Sequence, residues 1–203
     1  MTPEWKPLLE SRADPDPFIQ FGRWYEEAGA VVLYPEAMAV ATADRQGRPS
    51  VRMVLLKGWD PEGFVFFTNL DSRKGNELAD NPEASLLFYW EPLGRQVRIE
   101  GPVEPISDVD SDNYFRTRPR GGQIGARASR QSRTIEDREA LDREVKRLES
   151  EFAGAEVPRP PWWGGLRVQP RSFEFWQNRE DRLHDRLRYT PALSGWKMER
   201  LQP

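Results

Sequence analysis

The chain has no cysteine among its 203 residues and a single histidine. The first absence excludes disulfides, thiolate metal sites and cysteine nucleophiles. The second leaves too few imidazoles for a histidine-rich metal centre, so no metal is expected. Nothing approaches the run of ~18 apolar residues that a membrane-spanning helix requires. The N-terminus, MTPEWKPLLESRADPDPF, lacks a basic start followed by an apolar stretch and does not read as a secretory signal. A cytoplasmic protein with no membrane partner is expected. Positive charge is not in excess either: 30 Lys and Arg face 33 Asp and Glu, for a net charge of −3. General nucleic-acid binders are usually basic, so nucleic acid is not an expected partner.

What is present suits a globular domain. Charged residues make up 31% and hydrophobic residues 37% of the chain, with eight Trp and ten Phe. Such aromatics supply large buried area in cores, at interfaces and around flat ligands. Residues 1–15 are rich in Pro and acid and are expected as a mobile N-terminal arm. Residues 16–203 are expected as a single domain.

Asp16-Pro17 reads as an N-cap followed by Pro at the first helical position, with Phe18, Phe21, Tyr25 and Ala28 at helical spacing. A strand-rich stretch follows: 37–43, 49–57 and 64–68, separated by the turns 44–47 and 59–63. Asp71-Ser72 caps a short helix to Leu78, and strands follow at 84–90 and 96–105. Gly101-Pro102 suggests a bulge or an edge within the last of these. A helix is predicted over 107–116, then a Gly- and Arg-rich loop to residue 133. Thr134-x-x-Asp137 resembles a capping box, and Leu141, Val145, Leu148 and Phe152 form one apolar helix face. Strands return at 166–168, 172–177, 187–189 and 196–201. Hairpin-linked strands at both ends, with helices between, predict a closed or split antiparallel barrel rather than a doubly wound fold.

Four clusters carry chemistry. Arg52 and Lys57 flank an apolar strand and, five residues apart, point to opposite faces of regular β-structure. They read as cations for two anions or as solvated strand ends. Arg73-Lys74 sits at a helix start, where the helix dipole disfavours cations unless an anion such as phosphate joins them. The loop 116–133 is rich in Arg and Gly and reads as a phosphate cradle or a weak RNA site, the acidic chain favouring the small anion. Arg182, His184 and Arg186 share a face if that stretch is β-like, and His184 reads as either structural or functional.

The strings RMVLLK, FTNLDSRKGNEL, NPEASLLFYW, RQVRIEG, YFRTRP, QIGA, WWGGLRV, FEFWQ and RLHDR, in this order from about residue 16 to the end, resemble the pyridoxamine 5′-phosphate oxidase family. The resemblance implies an FMN-binding split β-barrel, mainly β with flanking helices, assembled as a homodimer with FMN between subunits. It implies oxidation of pyridoxamine or pyridoxine 5′-phosphate to pyridoxal 5′-phosphate, a step of vitamin B6 metabolism. Hydride would pass from substrate C4′ to flavin N5, with O2 as acceptor and H2O2 as product. By the same resemblance, Arg52, Met53, Val54, Leu55, Leu56, Lys57, Phe67, Thr68, Arg73, Lys74 and Gln96 would contact FMN from one subunit. Gln131, Ser132, Trp176 and Arg186 would complete that site from the partner. Lys57, Tyr114, Arg118 and Gly122 would hold the substrate phosphate. Arg182, Leu183 and His184 would lie at the substrate ring, with Arg182 and His184 as the catalytic pair. The sequence departs from the family pattern at Gly122, where Ser is usual, at Phe67, where Tyr is common, and at Arg127, where Trp is frequent. Its arm also lacks an Arg-x-x-Tyr element. Two alternatives stand beside this reading: a related flavin oxidase of the phenazine-pathway type acting on another ring, and a non-catalytic B6 or flavin carrier.

Overall fold

A computed structural model describes residues 5–203. Among these residues no helix is long and apolar enough to cross a membrane. The elements run α1 (Pro17–Gly29), β1 (Ala37–Ala43), β2 (Pro49–Asp60), β3 (Gly63–Asn69), α2 (Arg73–Asp80), β4 (Glu83–Trp90) and β5 (Arg95–Pro105). They continue with α3 (Asp108–Thr117), α4 (Arg120–Ala128), α5 (Arg138–Glu151), β6 (Trp163–Val168), β7 (Ser172–Gln177), β8 (Asp185–Pro191) and β9 (Trp196–Leu201).

The strands pair antiparallel in the order β4-β1-β2-β3-β6-β5, and β4 also pairs with β5, which closes a barrel; β7, β8 and β9 extend the sheet from β5. Strand β5 serves both parts. On one edge, Arg95–Glu100 pairs with β7 and Val103–Pro105 with β6. The switch falls at Gly101-Pro102, where a side chain on Gly101 would overlap the Gln169 carbonyl. The expected irregularity is therefore the point where barrel and extension part.

Alternation places Met38, Val40, Phe64, Phe66, Leu86, Phe88, Val97 and Ile99 inside, all at most 0% exposed. Helix α1 starts as predicted, with Asp16 accepting from Phe18 N at 2.8 Å. Its buried Phe21 meets Phe64 and Phe88 with ring centroids 4.9 and 5.1 Å apart. A second apolar cluster joins Phe115, Ile124, Leu148, Val157 and Trp163 beneath α3, α4 and α5. The stripe on α5 thus contributes Val145, Leu148 and Phe152 to packing within the chain.

Three local expectations need correction. The Gly- and Arg-rich stretch contains helix α4, because Ile124 buries its side chain and offsets the weak helix propensity of the glycines. Helix α5 is capped by Asp137, which accepts from Ala140 N at 2.6 Å; Thr134 lies outside it. The stretch before β8 is a turn: Asp181 and Arg182 have φ of 52° and 61°, and the strand starts only at Asp185. Arg182 and His184 therefore do not share a strand face with Arg186.

The expected mobile arm is tied down over its described part. Arg179 donates to Trp5 O at 2.8 Å, Leu8 N to Asp185 at 3.1 Å, and Tyr189 Oη to Asp14 O at 2.8 Å. Leu8 is buried in the core cluster. Residues 1–4 lie outside the described residues.

Candidate active site

The barrel opens where β2 leaves β3. Residues Ala37–Ala43 of β1 pair with Pro49–Leu55, whereas β3 joins β2 only from Leu56 onward, at Leu56↔Phe66. Beyond Phe66, β3 pairs instead with β6, at Phe67↔Gly165 and Thr68↔Gly164. The segment Arg52–Leu55 is thus bonded to a neighbour on one edge only. Leu56 N donates to Glu36 O at 2.9 Å, so even-numbered residues of β2 exchange bonds with β1. The peptide groups of Met53 and Leu55 face the other way, into the split.

A cavity of about 590 Å³ occupies this split. It is lined by Arg52, Met53, Val54, Leu55 and Lys57 of β2, Phe67 and Thr68 of β3, Lys74 of α2, Tyr114, Arg118, Gly122 and Gln131. All were expected site residues. Arg52 and Lys57 meet in one cavity although strict alternation sets them apart. The β2–β3 register shifts between Leu56 and Gly58, and an extra residue in one strand resets the faces. Asn69, Ser129 and Trp163 also line the cavity and were not singled out from sequence. The signal for Trp163 was there: Phe67, Tyr114 and Trp163 form one cluster of near-parallel rings, with centroids 3.9, 5.2 and 6.2 Å apart, and aromatic runs flanking a basic loop suit such a wall.

The cations here are short of carboxylates. Lys74 is buried, and its Nζ donates to Thr68 Oγ1, Ser72 Oγ and Gln131 Oε1 at 2.8, 3.1 and 2.7 Å, all neutral oxygens. Burial, aided by the charge of Arg52, lowers its pKa to about 8. Arg118 lies over the Trp163 ring at 4.8 Å; burial lowers its pKa, and its buried Nη1 has no hydrogen-bond partner among the described residues. Arg52 and Arg73 do reach a carboxylate, that of Glu77, at 3.4 and 2.8 Å. Unmatched cations, an orphaned donor, a free peptide edge and walls of Met53, Val54, Leu55 and Phe67 fit a flat ring bearing phosphate.

Other expected residues lie elsewhere. Leu56 points into the barrel core, and the Arg73 side chain is exposed beside the cavity. Ser132 follows Gln131 with φ 72° and does not line the cavity. Gln96, Trp176 and Arg186 line a second cavity of about 320 Å³ with Leu87, Arg98, Glu174 and Pro203. Register explains the grouping: Gln96 faces Trp176 across β5–β7, and Trp176 faces Arg186 across β7–β8. The Arg186 guanidinium donates to both oxygens of Glu174 at 2.9 and 3.1 Å. Arg182, Leu183 and His184 line neither cavity; the His184 ring sits 4.5 Å from that of Trp176, and its Nδ1 accepts from Arg179 N at 3.2 Å. One element of the expected division between subunits is corrected. Gln131 belongs with Lys74 of its own chain, and Gln96 with Trp176 and Arg186, because β-register and the fold-back after α4 decide these neighbours. The expected site residues thus fall mainly into two separate groups on the chain.

Comparison with known proteins identifies the family. Residues 25–151 match the family model described as pyridoxamine 5′-phosphate oxidase. Residues 163–203 match the pyridoxine 5′-phosphate oxidase C-terminal dimerisation region. The chain is 58% identical over 197 residues to a pyridoxine/pyridoxamine 5′-phosphate oxidase of Rubrobacter xylanophilus, covering 97% of this chain and 91% of the relative. It is 54% identical over 200 residues to the enzyme of that name from Bordetella pertussis, covering 97% and 93%. Among solved structures, PhzG of Burkholderia lata, in complex with tetrahydrophenazine-1-carboxylic acid, superposes with a TM-score of 0.91 at 36% identity, covering 99% of this chain and 100% of that one. An FMN-binding protein of Nostoc punctiforme related to pyridoxamine 5′-phosphate oxidase shares the fold, with a TM-score of 0.73 at 16% identity over 92% and 97% of the two chains. From the barrel, the cation-lined split and these matches together, the chain belongs to the pyridoxamine 5′-phosphate oxidase family of oxidoreductases.

Proposed function

We propose that the protein is an FMN-dependent oxidase, active as a homodimer, that converts pyridoxamine or pyridoxine 5′-phosphate to pyridoxal 5′-phosphate. The observation that carries this reading is one cavity lined by buried Lys74 and by half-buried Arg118 with its orphaned Nη1, neither paired with a carboxylate among the described residues, together with aromatic and apolar side chains. Two phosphates, one from cofactor and one from substrate, would satisfy them. The redox chemistry would be supplied by FMN when bound: substrate C4′ is oxidised and the electrons go to O2 as H2O2; for the amine substrate, water supplies the aldehyde oxygen and NH3 leaves.

The chain's part is binding and aim. Lys74, Arg52 and Arg73 hold the FMN phosphate, with Thr68, Gln131 and Ser132 around it. The peptide edge of Met53 and Leu55 meets the polar edge of the ring. Lys57, Tyr114 and Arg118 hold the substrate phosphate, and the bare backbone at Gly122 lets that phosphate approach the first turn of α4. The partner subunit's Gln96, Trp176 and Arg186 cover the open side, bringing Arg182 and His184 to the substrate ring. Dimerisation is supported by an exposed apolar stripe. Val51, Met53, Leu87 and Tyr89 are 68%, 64%, 36% and 56% exposed, and the registers Ala41↔Val51, Ala39↔Met53 and Ala39↔Leu87 set three of them around one strand.

The test is the visible spectrum of the flavin-loaded protein. Anaerobic pyridoxamine 5′-phosphate should bleach it, and air should restore the colour with release of H2O2 and pyridoxal 5′-phosphate. A spectrum that does not change at saturating substrate would reject the activity. A second reading, a flavin oxidase acting on another ring, has one observation in its favour: the match to PhzG spans essentially the whole chain. Bleaching only by a non-phosphorylated ring would favour it.

A further inference from the structure

We propose that Glu77 is the positioning residue of the FMN-phosphate cradle, holding Arg52 and Arg73 in their binding geometry; this rests on the FMN reading above. Glu77 lies on α2 one turn beyond Arg73 yet is only 6% exposed. Carboxylates are rarely buried without a compensating partner. Burial pushes its pKa up, but hydrogen bonds from Ser50, Thr42 and Arg73 and the charge of Arg52 outweigh that and hold it at about 2. It is therefore a fixed negative charge throughout the working range.

Its contacts are arranged around the two arginines. Glu77 Oε1 accepts from Arg73 Nε at 2.8 Å. Oε2 accepts from the hydroxyls of Thr42 and Ser50, each at 2.5 Å. Arg52 donates to those same hydroxyls, through Nη1 to Thr42 Oγ1 at 2.6 Å and through Nη2 to Ser50 Oγ. An arginine has only donors, so each hydroxyl must turn its lone pair to Arg52 and its proton to Glu77. The carboxylate thereby orients both hydroxyls, and through them one face of Arg52. Arg52 remains a wall of the cavity, with Lys74 close enough to feel its charge. The charges also match. Arg52, Arg73 and Lys74 against Glu77 leave two positive charges, and a phosphomonoester carries about −1.5 to −2 near neutral pH.

Two variants test this on the apoprotein by titration with FMN and, in parallel, riboflavin, which lacks the phosphate. Glu77→Gln keeps an oxygen for the hydroxyls but turns an amide donor towards Arg73. Glu77→Leu removes both supports. The expected result is FMN binding weakened several-fold in Glu77→Gln and about tenfold or more in Glu77→Leu, with riboflavin binding unchanged in both. If Glu77→Leu does not melt cooperatively, Glu77→Gln decides alone. Equal loss for both flavins would make Glu77 a general structural residue and overturn the proposal, as would unchanged FMN binding. Wild-type protein that fails to bind FMN would instead reject the underlying cofactor reading.

Discussion

Lys74 Nζ and Gln131 Oε1 lie 2.7 Å apart across 57 residues of chain. That bond joins the start of α2 to the segment after α4 and closes one end of the cavity between β2 and β3. It also leaves a buried ammonium facing only neutral oxygens, the state an incoming phosphate would relieve. In the proposed reading the same group makes FMN affinity depend on pH. Phosphate binding needs the protonated lysine, whose pKa in the free protein is lowered to about 8. FMN affinity should be level from pH 7 to about 8 and fall as pH rises further, by up to about tenfold per unit until the pKa of the complex is reached. Lys74→Met should remove that step and weaken binding at pH 7; fluorescence titration over pH 7–9.5 measures both.

Stability of the apoprotein should respond in the opposite sense. The unfolded chain keeps the Lys74 proton to about 10.5 and the folded chain to about 8. Between those values the unfolded state binds more protons, so this group's contribution to stability rises with pH. Urea midpoints of wild type and Lys74→Met, compared at pH 7.5 and 10, should show the difference shifting in favour of wild type on the alkaline side.

In the proposed reading Arg118 and Gly122 hold the substrate phosphate. Arg118→Met should raise KM for pyridoxine 5′-phosphate by about tenfold or more while leaving FMN bound, since a charge-assisted contact is lost only on the substrate side. Gly122→Ser adds a hydroxyl with room for it, its Cβ lying 3.4 Å from Arg118 Nη2, an ordinary contact. KM should fall by about threefold, the worth of one modest hydrogen bond. Steady-state kinetics with phosphorylated and dephosphorylated substrate separates these effects from changes in the ring site.

Subunit association should be needed for flavin retention. Val51 is 68% exposed on the outer face of β2 and lies outside both cavities. Val51→Asp should shift the protein towards monomer on size-exclusion chromatography and lower flavin content in step. A monomer that keeps full flavin would contradict completion of the site by the partner.

At the barrel's branch point, Gly101→Ala should destabilise the fold by about 3 kcal/mol, because the added carbon overlaps the Gln169 carbonyl between two fixed strands. Denaturant unfolding should show a lower midpoint with an unchanged slope.

Much of this was legible in order along the chain. Short apolar or alternating runs between turn residues marked the strands, the Asp16-Pro17 start of α1 was a local signal, and the RMVLLK, SRKG and RLHDR strings together marked the family. Local chemistry determines such features, so sequence carries them. Other features depended on distant neighbours. That Lys57 joins Arg52 required a register shift against β3, which only the paired strand reveals. That Gln131 sits on Lys74, and Gln96 beside Trp176, followed from chain return and from β5–β7 register. Arg182 adopts φ 61° in the turn before β8, where Arg179 N donates to His184 Nδ1 and where Arg179 and Asp185 bond the N-terminal segment, the latter being contacts between residues distant in the chain. The sequence by itself determined which groups are available to bind two anions and a ring; the tertiary structure decided which of them share a cavity, because side-chain neighbours are set by strand register and packing rather than by separation along the chain.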